Sequence, residues 1–195
     1  MINMFQHDGQ AIITGVWTAI TAAKGFDPVL LNIPKEATHF VRYTTGATAA
    51  LKLNETLTGG TSSATCKLIA QAVEVGTAGS GDTGVIFVSQ ISGVPTVTGE
   101  TWTGAVSTGT VATIQSPIVL QAFGMPKAAL IAIQTAAVNL TIGGVLPTTT
   151  AAQNYGIQLD AGQSMSLRGI PNIRTFKCIN AVASNGAVVK YAIYW

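Results

Sequence analysis

The side chains able to do acid–base, nucleophilic or metal chemistry are few and scattered. The 195 residues hold two histidines (His7, His39), two cysteines (Cys66, Cys178) and eight carboxylates: Asp8, Asp27, Glu36, Glu55, Glu74, Asp82, Glu100 and Asp160. A catalytic site needs such groups to converge. Here the carboxylates stand singly, with no D-x-D or E-x-x-E pair to suggest a hard-cation loop or a glycosidase dyad. The cysteines lie 112 residues apart and outside any C-x-x-C or Cys/His set. They read as small buried hydrophobes, with one long-range disulfide as the alternative. His7 lies in a polar stretch and His39 in a strand, and neither begins a metal-ligand spacing. Asp82 in Gly79-Ser80-Gly81-Asp82-Thr83-Gly84 is the nearest thing to a calcium loop, but an Asx-type turn accounts for it without metal. The same glycines lead into the strand Val85 to Val88 and lack the Gly-Lys-Ser/Thr ending of a phosphate loop. No catalytic residue, metal ligand or cofactor is expected. An enzymatic reading would require His39 and distant carboxylates to meet in a cleft.

The elements that would carry these residues are strands. Threonine, valine and isoleucine are frequent, glycine occurs 21 times, and no stretch of a dozen residues shows a 3.6-residue apolar stripe. Strands are expected at Gln10 to Trp17, Thr38 to Thr44, Cys66 to Val73, Val85 to Ile91, Thr110 to Gln115, Ala128 to Gln134 and Val138 to Ile142. Four more follow at Tyr155 to Leu159, Ser164 to Leu167, Arg174 to Ala181 and Ala187 to Trp195. The fold class is all-β, a β-sandwich or jelly roll. Residues 1–57 and 110–195 are expected to build the sandwich, and the glycine- and threonine-rich segment 58–109 to form an inserted β subdomain or arm. Asn185-Gly186 supplies a type I′ turn, which would pair Val182 with Val189, Cys178 with Ile193 and Phe176 with Trp195. No fixed-period repeat is evident.

Charge is the second informative quantity. Only 9% of residues are charged, against about 25% in ordinary soluble domains. A compact chain of 20.0 kDa exposes roughly 8,700 Å², so each charge would serve nearly three times its usual area. Such a surface is expected to be covered, by self-association or by docking on a larger assembly. The basic residues stand singly and the net charge is +2, so nucleic acid is not expected as a partner. Ala128 to Leu146 is apolar enough to suggest a membrane span. Its Gln134, Asn139 and glycines, and the alternation from Val138 to Ile142, read as strand instead. Met1 to Gln10 lacks a basic segment followed by an apolar core, so synthesis in the cytoplasm is expected.

Among the aromatic residues, Trp195 is assigned to a core strand. Trp102, set in the polar sequence Glu100-Thr101-Trp102-Thr103-Gly104, is the candidate for exposure at an interface.

Two stretches resemble a known group of proteins. Thr83 to Gly93 reads T-G-V-I-F-V-S-Q-I-S-G, and Thr98 to Gly104 reads T-G-E-T-W-T-G. Together they resemble the glycine- and threonine-rich β ribbons of tailed-bacteriophage virion proteins. The segment from Val138 to Tyr194, with L-T-I-G-G-V-L-P-T-T-T and Y-G-I-Q-L-D-A-G-Q-S-M-S-L-R-G, is similar to the terminal β-domains of phage head decoration, neck and tail accessory proteins. The resemblance implies a structural protein of the phage particle that decorates the head and cements joints between major capsid protein subunits. A homo-oligomer, with a trimer preferred, fits the three-fold positions of capsids. The alternatives are a neck or tail accessory component and a receptor- or carbohydrate-binding module. The resemblance carries no catalytic residues.

Overall fold

The computed structural model describes residues 12–18, 20, 22–95, 99–115, 117–120, 126–143, 146–147, 156–182 and 186–194. His7, Asp8, Tyr155, Asn185 and Trp195 lie outside them. The described chain is nearly all strand: β1 (Ile12–Thr18), β2 (His39–Ala47), β3 (Thr56–Gly59), β4 (Thr65–Thr77), β5 (Ser80–Ser92), β6 (Trp102–Gly104) and β7 (Thr110–Ala112) come first. They are followed by β8 (Ile118–Val119), β9 (Ala128–Thr135), β10 (Val138–Thr141), β11 (Ile157–Leu159), β12 (Ser164–Arg168), β13 (Lys177–Asn180) and β14 (Val188–Tyr194). Two short helices interrupt the series, α1 (Pro28–Leu31) and α2 (Ile170–Thr175). Each carries a proline in its first turn, Pro28 and Pro171, where the missing N–H is no loss.

These strands form two bodies around two apolar clusters. One is a sandwich in which the sheet β1-β14-β9-β12 faces the sheet β11-β10-β13. Ile13, Ile131, Tyr191 and Ile193 from the first sheet share a core with Val138, Leu140 and Cys178 from the second. The other is a ring in which β5, β4, β3, β6, β7 and β2 pair in turn, and β2 pairs back onto β5. Val41, Leu57, Leu68, Ile86, Trp102 and Val111 fill its interior. Closure of the ring removes the exposed strand edges that a glycine-rich ribbon would otherwise offer.

The bodies share a wall. In β5, Ile86 and Val88 point into the ring while Val85 and Phe87 join the sandwich core, as the two-residue period of a strand requires. Strand β4 reaches both cores by a different device. It buries every second residue from Cys66 to Glu74, yet Cys66 and Leu68 face the ring whereas Ala70 and Ala72 face the sandwich. Leu68 pairs with Val88 and Ala70 with Phe87, so Ile69 is an extra residue. A bulge of this kind reverses which face the following side chains occupy.

Three expectations are corrected. Segment 58–109 does not stand apart, because its strands close the ring only with β2 and β7, which lie outside the expected boundaries. The hairpin pairing of Cys178 with Ile193 does not form. Cys178 pairs with Leu140 and Ile193 with Ile13 and Ala129, because β13 and β14 belong to opposite sheets and meet through their side chains in the core. The segment Arg174 to Ala181 begins as the last turn of α2, and only Lys177 to Asn180 is strand. Ala128 to Leu146 does contain strands, β9 and β10. Among the described residues no helix is long and apolar enough to cross a membrane.

Candidate functional site

Four of the eight carboxylates are turned inward: Glu55, Glu74, Asp82 and Glu100 are each under 5% exposed. A buried carboxylate is costly unless its oxygens are satisfied, and each of these is held in a specific arrangement.

Glu55 precedes β3 and accepts hydrogen bonds from the backbone N–H groups of Lys52 (2.6 Å), Val106 (2.9 Å) and Ser107 (2.9 Å), and from Ser107 Oγ (2.7 Å). Glu100 precedes β6 and accepts from the N–H groups of Thr61 (3.1 Å) and Ser62 (2.7 Å), from Ser62 Oγ (2.7 Å) and from Trp102 Nε1 (3.1 Å). Each carboxylate therefore pins the loop that follows the other's strand. Burial acts to raise the Glu55 carboxyl, but the bonds from Ser107, Lys52 and Val106 outweigh it and hold it at about 2. Glu100 is lowered by the same balance, burial opposed by Ser62, Trp102 and Thr61.

The exchange is symmetric because the sequence is duplicated. Glu55, Thr56, Thr58, Gly59, Ser62 and Thr65 recur 45 residues later as Glu100, Thr101, Thr103, Gly104, Ser107 and Thr110. Strands β3 and β6 pair antiparallel about Thr58 and Thr103, with Leu57 opposite Gly104 and Gly59 opposite Trp102. The loops match as well. Ser63 and Thr108 both take positive φ, and their N–H groups donate to Gly59 and Gly104. A Cβ at Gly59 would collide with Glu100, and one at Gly104 with Glu55, so the motif needs glycine there for space. The repeat escapes inspection because Leu57 is replaced by Trp102 and Gly60 by Ala105. The second copy also carries an extra residue, Thr113, at φ 52° before Ile114.

Of the other two buried acids, Glu74 ties the bodies together and Asp82 braces the ring. Glu74 on β4 takes both guanidinium nitrogens of Arg42 on β2 (2.5 and 3.0 Å) and the hydroxyl of Tyr191 on β14. Burial, the Glu74 charge and the bond to it raise the Tyr191 phenol far above its usual range. Asp82 accepts from the Tyr43 hydroxyl, from Gln71 Nε2 (3.3 Å) and from the Gly79 N–H (2.8 Å). Its oxygens are used inside the turn and the ring wall.

Trp102 is corrected from interface candidate to core residue. It is 1% exposed, stands among Leu57, Ile86 and Val111, and spends its indole N–H on Glu100. Of its flanking threonines, Thr103 is exposed on the outer face of β6 and Thr101 half-buried just before it. Cys66 and Cys178 are free and buried in different cores, and burial pushes each thiol up to about 12. His39 is half-buried on β2 with Nδ1 2.8 Å from Thr38 Oγ1, and burial lowers its imidazole.

A surface cleft of about 420 Å³ lies over β1, β14 and β9, walled by Arg42 and Gln115. Neither a carboxylate nor a histidine lines it, and Arg42 is committed to Glu74. Among the described residues no three His, Cys, Asp or Glu side chains gather as a metal site. Comparison with protein-family models, curated proteins and solved structures returns no match.

Proposed function

We propose that this chain is an architectural component of a tailed-phage particle, decorating the head and cementing capsid subunits through uncharged β surface. The observation that carries this reading is the inward turn of the acids. With Glu55, Glu74, Asp82 and Glu100 consumed as internal ties, the carboxylates left to the described surface are Asp27, Glu36 and Asp160. A surface of 9710 Å² so poor in charge suits a molecule whose exterior is largely covered by neighbours. The G-E-T-W-T-G stretch, one of those that carry the phage resemblance, is half of the Glu55/Glu100 exchange in the ring, while the resembling segment Val138 to Tyr194 supplies sandwich strands.

The mechanism is burial of sheet and loop surface at many repeated contacts, with the major capsid protein as partner and a trimer as the preferred unit. Apolar contact of this kind tolerates salt. A carbohydrate-binding module needs exposed aromatic rings to stack on sugars, and Trp17 and Trp102 are both buried. The test is quantitation of the chain in purified particles washed in high salt and then in mild denaturant. Hundreds of copies retained through salt and shed in denaturant support head decoration. A dozen or so copies place it in the neck or tail. Release by salt, or a chain that stays monomeric at high concentration and binds no particle, overturns the reading.

A further inference from the structure

The basic residues are isolated in the sequence, but the fold gathers half of them at one end of the sandwich. Arg168, at the end of β12, pairs with Ala128 beside Lys127, and the Gly169 N–H donates to the Lys127 carbonyl at 3.2 Å. Helix α2 then carries Arg174 in its last turn and delivers the chain to Lys177. Lys24 arrives from the opposite side, because its backbone exchanges two 2.8 Å hydrogen bonds with Cys178. Lys127, Arg168 and Arg174 are exposed, and Lys24 and Lys177 are half-buried. The acid closest in sequence, Asp27, has an oxygen 2.8 Å from the Val29 N–H as the cap of α1. Asp160 lies in the turn at the far end of β9 and β12, where Gly162 and Gln163 bond to Ile133. Among the described residues, five basic groups thus gather at this end with Asp27 three residues from Lys24, and Asp160 lies at the other.

We infer that this α2 end is a docking face for an acidic protein surface. The inference rests on the proposed role in a larger assembly and adds the direction in which the chain docks. Charge complementarity sets orientation and association rate where apolar contact supplies the hold. Nucleic acid fits the face less well. A polyanion binder adds stacking platforms to its bases, whereas Phe26 and Phe176 behind this patch are buried against Trp17. Ile157 instead stands 53% exposed on β11, in the row that pairs through Leu140 to Cys178. Basic residues with an exposed aliphatic group in the same row are the composition of a protein contact.

The experiment uses the full chain with poly-L-glutamate as the probe and single-stranded DNA of matched charge as the competing arm. Poly-L-glutamate is expected to bind in a salt-sensitive manner, and carbodiimide cross-links are expected at Lys127, Lys177 and Lys24. Lys127→Glu with Arg174→Glu is expected to weaken binding about tenfold, against less than about twofold for the control Lys35→Glu with Lys52→Glu. Lys127→Gln with Arg174→Gln gives a milder loss in the same direction, and melting temperatures check that each variant is folded. Absence of binding, equal losses in patch and control variants, or tighter binding of DNA overturns the inference. Because no particle enters this assay, its failure leaves the particle-association reading standing, and failure of that reading is scored separately on purified particles.

Discussion

Glu55 and Glu100 stand at equivalent positions of a sequence repeat, and each holds the loop belonging to the other's copy, through Ser107 and Ser62 respectively. Neither hairpin of the pair, β3–β4 or β6–β7, therefore has its loop satisfied by its own glutamate. The ring closes because each copy completes the other.

Removing either carboxylate should be costly and removing a serine less so. Glu55→Ala strands the N–H groups of Lys52, Val106 and Ser107, for an expected loss of about 3 kcal/mol, and Glu100→Ala should match it. Ser62→Ala and Ser107→Ala each delete a donor and the acceptor used by the Ala64 or Gly109 N–H, for about 1–2 kcal/mol. Urea denaturation of the four variants checks this, and unchanged midpoints for both glutamate variants would sink the latch.

The same pair sets the acid response. Folded Glu55 sits at about 2, against 4.5 for the free side chain, and Glu100 is lowered in the same direction. A carboxyl depressed by folding contributes stability that is complete above its unfolded value and is lost as pH falls toward its folded one. Melting temperature should therefore hold from neutral pH down to about 4.5 and decline from there toward 2. Glu55→Gln with Glu100→Gln should flatten that decline, and an equally steep fall in this variant would assign it to other groups.

Trp102→Ala should behave as a core deletion, costing about 3–5 kcal/mol, with the additional loss of a donor to Glu100. In the intact protein iodide should leave Trp102 emission unquenched. Quenching, or a variant with an unaltered urea midpoint, would return this indole to the surface.

At the joint between the bodies the two partners of Glu74 should differ. Arg42→Ala leaves a buried carboxylate without its counter-charge and should cost about 3–5 kcal/mol. Tyr191→Phe removes one hydroxyl from an acid still gripped at two nitrogens and should cost about 1 kcal/mol. Equal effects in denaturation would show that the ion pair is not what holds Glu74.

Much of the fold is legible in the sequence, since two-residue alternation marks β1, β2, β9, β10 and β14 directly. What resists reading follows from two physical facts. The strands β3 and β6 are only four and three residues long, too short for a period to register, so the ring they complete is hidden. In β4 the alternation runs unbroken from Cys66 to Glu74, and nothing local reveals that the bulge at Ile69 sends its halves to different cores. The Asn185-Gly186 signal favours a turn but not a pairing, and apolar residues on both flanks suit a core crossing as well as a hairpin. The candidate site is legible only in part. Threonines around Trp102 suggest exposure because an outer strand face and a loop have the same composition. Glu55 and Glu100 look like isolated surface acids until their 45-residue spacing is noticed, and that spacing is the signal that would have found them.

The wall common to ring and sandwich also governs how force passes through the molecule. Phe87 and Ile86 are neighbours on one strand with their side chains in different interiors, so no flexible linker separates the two halves at that point. Pulling on the loops around Glu55 would load β4 through β3 and, through β4, both β5 and the Glu74 bond to Tyr191. A chain whose two interiors share a strand in this way should stretch as one stiff unit, since neither half can be pulled open without disturbing the strand that lines the other.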